Sequence, residues 1–202
     1  IPKDKFNLIY YTDNFVKWVN KHFPESYDFK HIPDKDPRIV ILFFDSKGEI
    51  FAFQGRIASN DIADNQLRYI TIRLNKTKLL VYGLERIDWE KTVYVVEGPI
   101  DSLFLDNCLA VAGGDVGKLT KLNKDFVFIS DNQPRNPDVC KFIEKNIENK
   151  QKVVIFPPNV ESKDINALAL TNMKRPDIIN LIKTRTFSGL SARVELSQWK
   201  KI

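Results

Sequence analysis

Four carboxylates stand where they could share a cation. Glu97 follows the apolar run Val93–Val96, Asp131 follows Phe126–Ser130, and Asp164 comes after Lys152–Phe156 and a short connection. Asp101 lies one helical turn beyond Glu97, on the same side of the chain. In an open parallel sheet, ligands bind beyond the carboxyl ends of the strands, which is where these acids fall. Carboxylates brought together there would repel one another unless a cation joined them. Hard oxygen donors suit Mg²⁺, which shares its shell readily with phosphate oxygens. Taken singly, each acid has a blander role as a helix cap: Asp131 for the next helix, Asp164 for its own. The placement of all of them after successive strands is what favours a site.

The elements that must position these acids can be read from periodicity. Phe15, Trp18 and Val19 recur at helical spacing, and Pro24, Pro33 and Pro37 make the chain after them irregular. Arg38–Asp45 reads as a buried strand. Lys47-Gly48 is a turn, and Glu49–Gln54 returns as a second strand, giving a hairpin. Leu67–Leu74 alternates as a half-buried strand does, and Leu79–Tyr82 is a further strand candidate. From residue 91 strands and helices alternate. Val93–Val96, Leu109–Ala112, Phe126–Ser130 and Lys152–Phe156 are expected strands. Pro99–Asn107, Asp115–Leu122, Pro137–Asn149 and Asp164–Leu170 are expected helices. Such β-α repetition predicts an α/β fold with a mostly parallel sheet flanked by helices. The tail from Pro176 reads as helical, with a break at Ser188-Gly189. The expected organisation is a smaller mixed α+β region over 1–90, an α/β domain over 91–172 and a helical segment over 173–202.

Bulk properties narrow the class. The chain has 202 residues, 43% hydrophobic and 28% charged, ordinary values for a globular protein. No apolar run approaches the roughly 18 residues of a membrane span, so no membrane partner is expected. Residue 1 is Ile and no signal-peptide pattern comes after it, so a fragment of a longer protein is expected. The net charge of +5 is compatible with a nucleic-acid partner. Cys108 and Cys140 are too few and too far apart for a local zinc site, and they read as buried thiols of a reducing, cytoplasmic setting. His22 and His31 have no metal-ligand neighbour at a useful spacing.

The same residues carry a family likeness. Val95-Val96-Glu97-Gly98-Pro99-Ile100-Asp101 resembles the first motif of the Toprim fold, shared by bacterial-type primases, topoisomerases and related nucleases. Phe128-Ile129-Ser130-Asp131-Asn132-Gln133 resembles the second motif, and Lys163-Asp164-Ile165-Asn166 the lysine-aspartate segment of primases. Upstream, Phe53-Gln54-Gly55-Arg56 and Leu80-Val81-Tyr82-Gly83-Leu84 resemble the hairpin and Tyr-Gly-Leu elements that precede Toprim in primase catalytic cores. The likeness covers roughly residues 38–170, and Asp131-Asn132-Gln133-Pro134-Arg135-Asn136 is similar to the variant second motif of primases from T-even-like bacteriophages. There is one departure: Gln133 stands where the second motif ordinarily has a later aspartate. A neutral amide is a weaker Mg²⁺ ligand, which argues against a symmetric two-metal arrangement.

The resemblance implies a DNA primase core that makes short RNA primers on single-stranded DNA from ribonucleoside triphosphates, using Mg²⁺ or Mn²⁺. In phage it would work in the host bacterial cytoplasm. It implies Glu97 and Asp131 as catalytic metal ligands, Asp101 and Asp164 as further ligands, and no zinc in this fragment. Candidates for triphosphate or template are Arg56, Arg68, Lys78, Lys163 and Arg135, the arginine fork matching phosphate oxygens. The basic stretch around Lys78 has a solvated-edge alternative, Arg135 and Lys163 have the alternative of only balancing the charge of the acids beside them, and Gly98, Gly113 and Gly114 read either as turn glycines or as points of close approach to a ligand. By family analogy the tail, with Leu181, Ile182, Leu190, Val194, Leu196 and Trp199, would dock a replicative helicase, or else pack on its own domain. The competing readings are a Toprim nuclease and a non-catalytic nucleic-acid-binding module with a degenerate site.

Overall fold

The structure, a computed structural model, describes every residue except 28, 30–35, 60–65, 114–116, 118, 120, 121 and 123. Most of the helix expected over Asp115–Leu122 lies outside the described residues, as do His31, Pro33 and Gly114. The chain divides into two compact units, Pro2–Glu85 and Arg86–Ile202.

The first unit is an antiparallel sheet with one helix on it. Strands β1 (Tyr10–Thr12), β2 (Arg38–Phe44), β3 (Ile50–Ile57) and β4 (Tyr69–Arg73) pair in sequence order. Helix α1 (Phe15–His22) starts at Asn14, whose side chain accepts the Lys17 N–H. Its buried Phe15 and Val19 join Val40, Phe53, Ile70 and Ile72, so alternate strand positions feed one core. Gly55 is required by this packing: a Cβ there would meet the Phe15 ring at 2.6 Å and Arg38 Cδ at 3.0 Å. The β2–β3 turn is held by Asp45, whose Oδ1 accepts the Lys47 and Glu49 N–H groups, and Gly48 supplies a φ of +80°. Arg38 is 2% exposed; its Nε donates to Asp36 Oδ2 at 2.6 Å and its Nη1 to the Gly55 and Leu67 carbonyls.

Two details differ from the periodicity. β1 is only three residues long, too short to show alternation. Leu79–Tyr82 forms no strand, only a single bridge at Tyr82, whose buried ring packs edge-on to Phe43.

The second unit carries a five-stranded sheet in the order β6-β5-β7-β8-β9, with β5 (Val93–Val96), β6 (Cys108–Ala110), β7 (Phe126–Ile129) and β8 (Lys152–Val154) parallel. Every β7 residue is buried, as a strand covered on both faces requires. α2 (Pro99–Ser102) follows β5, and α3 (Pro137–Glu148) starts at the Asn136 cap after β7. α4 (Ile165–Leu170) starts at Asp164, and α5 (Arg175–Thr184) comes next. α2 is shorter than its apolar spacing implies, because Leu103, Phe104 and Leu105 are buried from turns beyond Ser102. The tail is not continuously helical: β9 (Thr186–Phe187) adds antiparallel to β8, and α6 (Gly189–Trp199) then packs beside α3. Leu196 and Trp199 are buried on this unit, while Leu190 and Val194 are exposed. This is the mixed α/β architecture, with a mostly parallel sheet flanked by helices, that the strand-helix rhythm predicts.

Candidate functional site

β5 and β7 are neighbours with Val96 level with Ile129. Glu97 and Asp131 therefore leave the sheet at the same edge. They share a cavity of about 380 Å³ with Gln133 and Lys163, walled on its apolar side by Ile129 and Phe142. Lys163 Nζ lies 3.0 Å from Asp131 Oδ2. That hydrogen bond, with the surrounding acids, raises the Lys163 pKa above its ordinary value.

Two of the acids, Glu97 and Asp101, are raised by desolvation and by the charge of their acidic neighbours. The Glu97 carboxyl reaches solvent, yet the apolar wall desolvates it and Asp131 repels its charge, so its pKa is raised against the opposing pull of Lys163. Asp101 is pushed up to about 7. Burial is the main cause; the Asn166 N–H opposes it, and the charges of Asp164 and Asp131 add to it. Asp101 Oδ1 accepts that Asn166 N–H at 2.9 Å. Asp164 Oδ1 accepts the Ala167 N–H at 2.7 Å and so caps α4, as the blander reading of that acid had it. Asp131 caps no helix; Asn136 does so for α3. Gly98 makes room for a protein group rather than for a ligand, since a Cβ there would lie 2.8 Å from Asp101 Oδ2.

Glu97, Asp101, Asp131, Asp164 and Lys163 thus gather at one end of one sheet. Among the described residues no three acids, histidines or cysteines are grouped closely enough to hold an ion by themselves. Mg²⁺ does not require this, because it takes one or two carboxylates and completes its shell with water and substrate phosphate. The donor set fits such an ion: Glu97 and Asp131 are hard carboxylates lining one cavity, and Glu97 and Asp101 are raised first by desolvation and further by the charge of neighbouring acids, which a cation would relieve. Gln133 has a local task, its Oε1 accepting from Asn136 Nδ2 at 3.1 Å and so bracing the α3 cap.

The remaining basic candidates fall in both units. Arg135 is exposed and lines, with Pro134 and Lys201, a shallow hollow that shares Gln133 and Asn136 with the cavity of the acids. Arg56, Arg68 and Lys78 belong to the first unit. Arg56 lies over the Tyr69 ring and donates to its hydroxyl at 3.2 Å. Arg68 is exposed. Lys78 is committed to Asp45 at 2.9 Å, a bond that lowers the Asp45 pKa to about 2 and raises that of Lys78. Sequence reasoning gave no role to Asn132 and saw Trp199 only as part of an apolar tail, yet Trp199 Nε1 donates to Asn132 Oδ1 at 2.9 Å beside Asp131. Only tertiary structure brings that pair together.

No protein-family model matches the chain. Over an alignment of 205 positions that takes in all of this chain, it is 35% identical to the DNA primase of Enterobacteria phage T4. The chain is a relative of the DNA primases. It spans 58% of that relative's length. The zinc-binding and RNA polymerase domains of the Aquifex aeolicus primase superpose with a TM-score of 0.66 at 18% identity, over 98% of this chain and 57% of that one. The RNA polymerase domain of Mycobacterium tuberculosis primase DnaG, solved with a double-stranded DNA oligomer bearing a 6-nucleotide overhang, gives 0.59 at 18% identity over 86% of this chain and 59% of that one. At such identities these two likenesses establish the shared fold alone: the chain is folded as those primase domains are.

Proposed function

We propose that this chain is the primer-synthesising core of a DNA primase, joining ribonucleotides on a single-stranded DNA template. The observation that carries the proposal is the pairing of Glu97 and Asp131 at the ends of adjacent parallel strands, in a chain 35% identical along its whole length to a phage DNA primase. In the reaction a 3′-hydroxyl attacks the α-phosphate of the incoming triphosphate and pyrophosphate leaves.

Glu97 and Asp131 are the residues to hold a divalent cation, Mg²⁺ or Mn²⁺, with Asp101 and Asp164 behind them. When bound, the ion lowers the pKa of an attached hydroxyl and offsets phosphate charge. Lys163, cationic beside Asp131, is placed to receive phosphate oxygens and to keep the acids in register without the ion. The Ile129–Phe142 wall limits water around them, which strengthens each charge interaction. Arg56 and Arg68 are retained as backbone-phosphate contacts. Lys78, bound to Asp45, is not.

The test is de novo oligoribonucleotide synthesis on single-stranded DNA by the full chain. Glu97→Gln is expected to lower the rate by at least about 100-fold, the scale of removing a main electrostatic contributor, with an unchanged circular dichroism spectrum. Full activity in that variant refutes the metal assignment. Cleavage of labelled DNA in place of extension would favour the nuclease reading.

A further inference from the structure

Asn132, directly after Asp131, is bonded at every polar position of its side chain and at its amide. Its N–H donates to the Lys163 carbonyl at 2.6 Å. Its side-chain Nδ2 donates to the Val160 carbonyl at 2.7 Å and the Ser162 carbonyl at 3.2 Å. Its Oδ1 accepts the indole N–H of Trp199 at 2.9 Å. Carbonyls only accept and an indole only donates, so the amide has one workable orientation.

The segment these bonds hold, Val160–Lys163, has neither helix nor strand of its own. It carries Lys163 and leads into Asp164, and Asn132 bonds to three of its carbonyls next to Asp131. Trp199 is 9% exposed and ends α6. The neighbouring Lys201 N–H donates to the Pro134 carbonyl at 3.0 Å, and Lys200 Nζ reaches Glu144 Oε1 at 2.6 Å. The end of α6 is thereby fastened to the loop that carries Asp131.

We propose that Asn132 and Trp199 form a positioning pair that sets how far Lys163–Asp164 stand from Asp131, and so tunes divalent-cation affinity. The proposal rests on the reading of Glu97 and Asp131 as cation ligands. Neither member touches the cation. The indole orients the amide and the amide sets the loop, in the way groups behind a metal's own ligands govern affinity.

The test is Mn²⁺ titration of the full chain, monitored by the paramagnetic signal of free Mn²⁺, with thermal unfolding measured in parallel. Trp199→Phe keeps an aromatic ring and removes the donor. It is expected to weaken Mn²⁺ binding by about 10-fold, with a melting temperature close to that of the parent. Asn132→Ala is expected to do the same, and the double variant to be no worse than Asn132→Ala alone. If Trp199→Phe melts early, replacing Trp199 with benzothienylalanine, which exchanges the indole N–H for sulfur at equal shape, provides the same comparison. Glu97→Gln separates the two readings. If it abolishes binding while the Trp199 variants bind as the parent does, the positioning role is overturned and the metal site stands. If Glu97→Gln binds Mn²⁺ normally, the metal reading falls and the positioning role falls with it.

Discussion

Asp101 is the residue at which the site shows its design most directly. Its carboxyl, pushed from an ordinary 3.8 to about 7, is the mark of a largely desolvated acid with acidic neighbours, only partly compensated by the backbone N–H groups of Asn166 and of Asp101 itself. A folded-state pKa above the unfolded one means that the stability is fully present below about pH 4. It is lost as pH rises through 7, where the folded protein must ionise a group it disfavours. Asp101→Asn keeps an oxygen for the Asn166 N–H and removes the charge. In chelator at pH 8 it is expected to be more stable than the parent, by on the order of 2–4 kcal/mol for a shift of this size. At pH 5 the gap should shrink sharply. Urea unfolding at the two pH values measures it, and equal gaps would show that Asp101 is not the titrating group.

The elements differ in how far they can be read in advance. The strands before Glu97 and Asp131 were legible because a strand buried on both faces is a continuous apolar run, and Val93–Val96 and Phe126–Ile129 are that. The hairpin was legible from its turn, which Asp45 and Gly48 build from local bonds. What could not be read depends on partners far along the chain. β9 is two residues long and exists only because β8 offers an edge. Gly55 looks like a motif glycine, but its reason is the ring of Phe15 forty residues earlier. The same holds for Arg38, which reads as a strand's first residue and is in fact a buried cation joining Asp36 to the Gly55 and Leu67 carbonyls. Asp36 in turn offers its carbonyl to the Phe15 N–H, so this pair ties α1 to the sheet. Arg38→Met fills much of the space but strands a carboxylate that is 1% exposed. Breaking such a pair from one side is expected to remove about 3–5 kcal/mol of stability. Adding Asp36→Asn should restore part of it, and denaturant midpoints for the two variants check both statements.

Across the whole molecule, the acids and the sheet that presents them belong to the Arg86–Ile202 unit, whereas the Pro2–Glu85 unit contributes none of the four. A cation bound at Glu97 and Asp131 therefore acts on one unit first. Binding to the folded state alone stabilises by RT ln(1 + [L]/Kd), about 2.7 kcal/mol at a hundred times Kd. That gain should appear as slower amide exchange in β5, β7 and the segment around Asn132, because these carry or hold the residues that would bind the ion. The amides of β2 and β3 should exchange at unchanged rates, since their bonds close within the four-stranded sheet of the Pro2–Glu85 unit. Hydrogen–deuterium exchange with and without Mn²⁺ reads both at once. Glu97→Gln should erase the protection in β5 and β7 and leave the hairpin as it was. Equal protection throughout the chain would overturn the assignment of a local effect to the Glu97 and Asp131 end of the sheet.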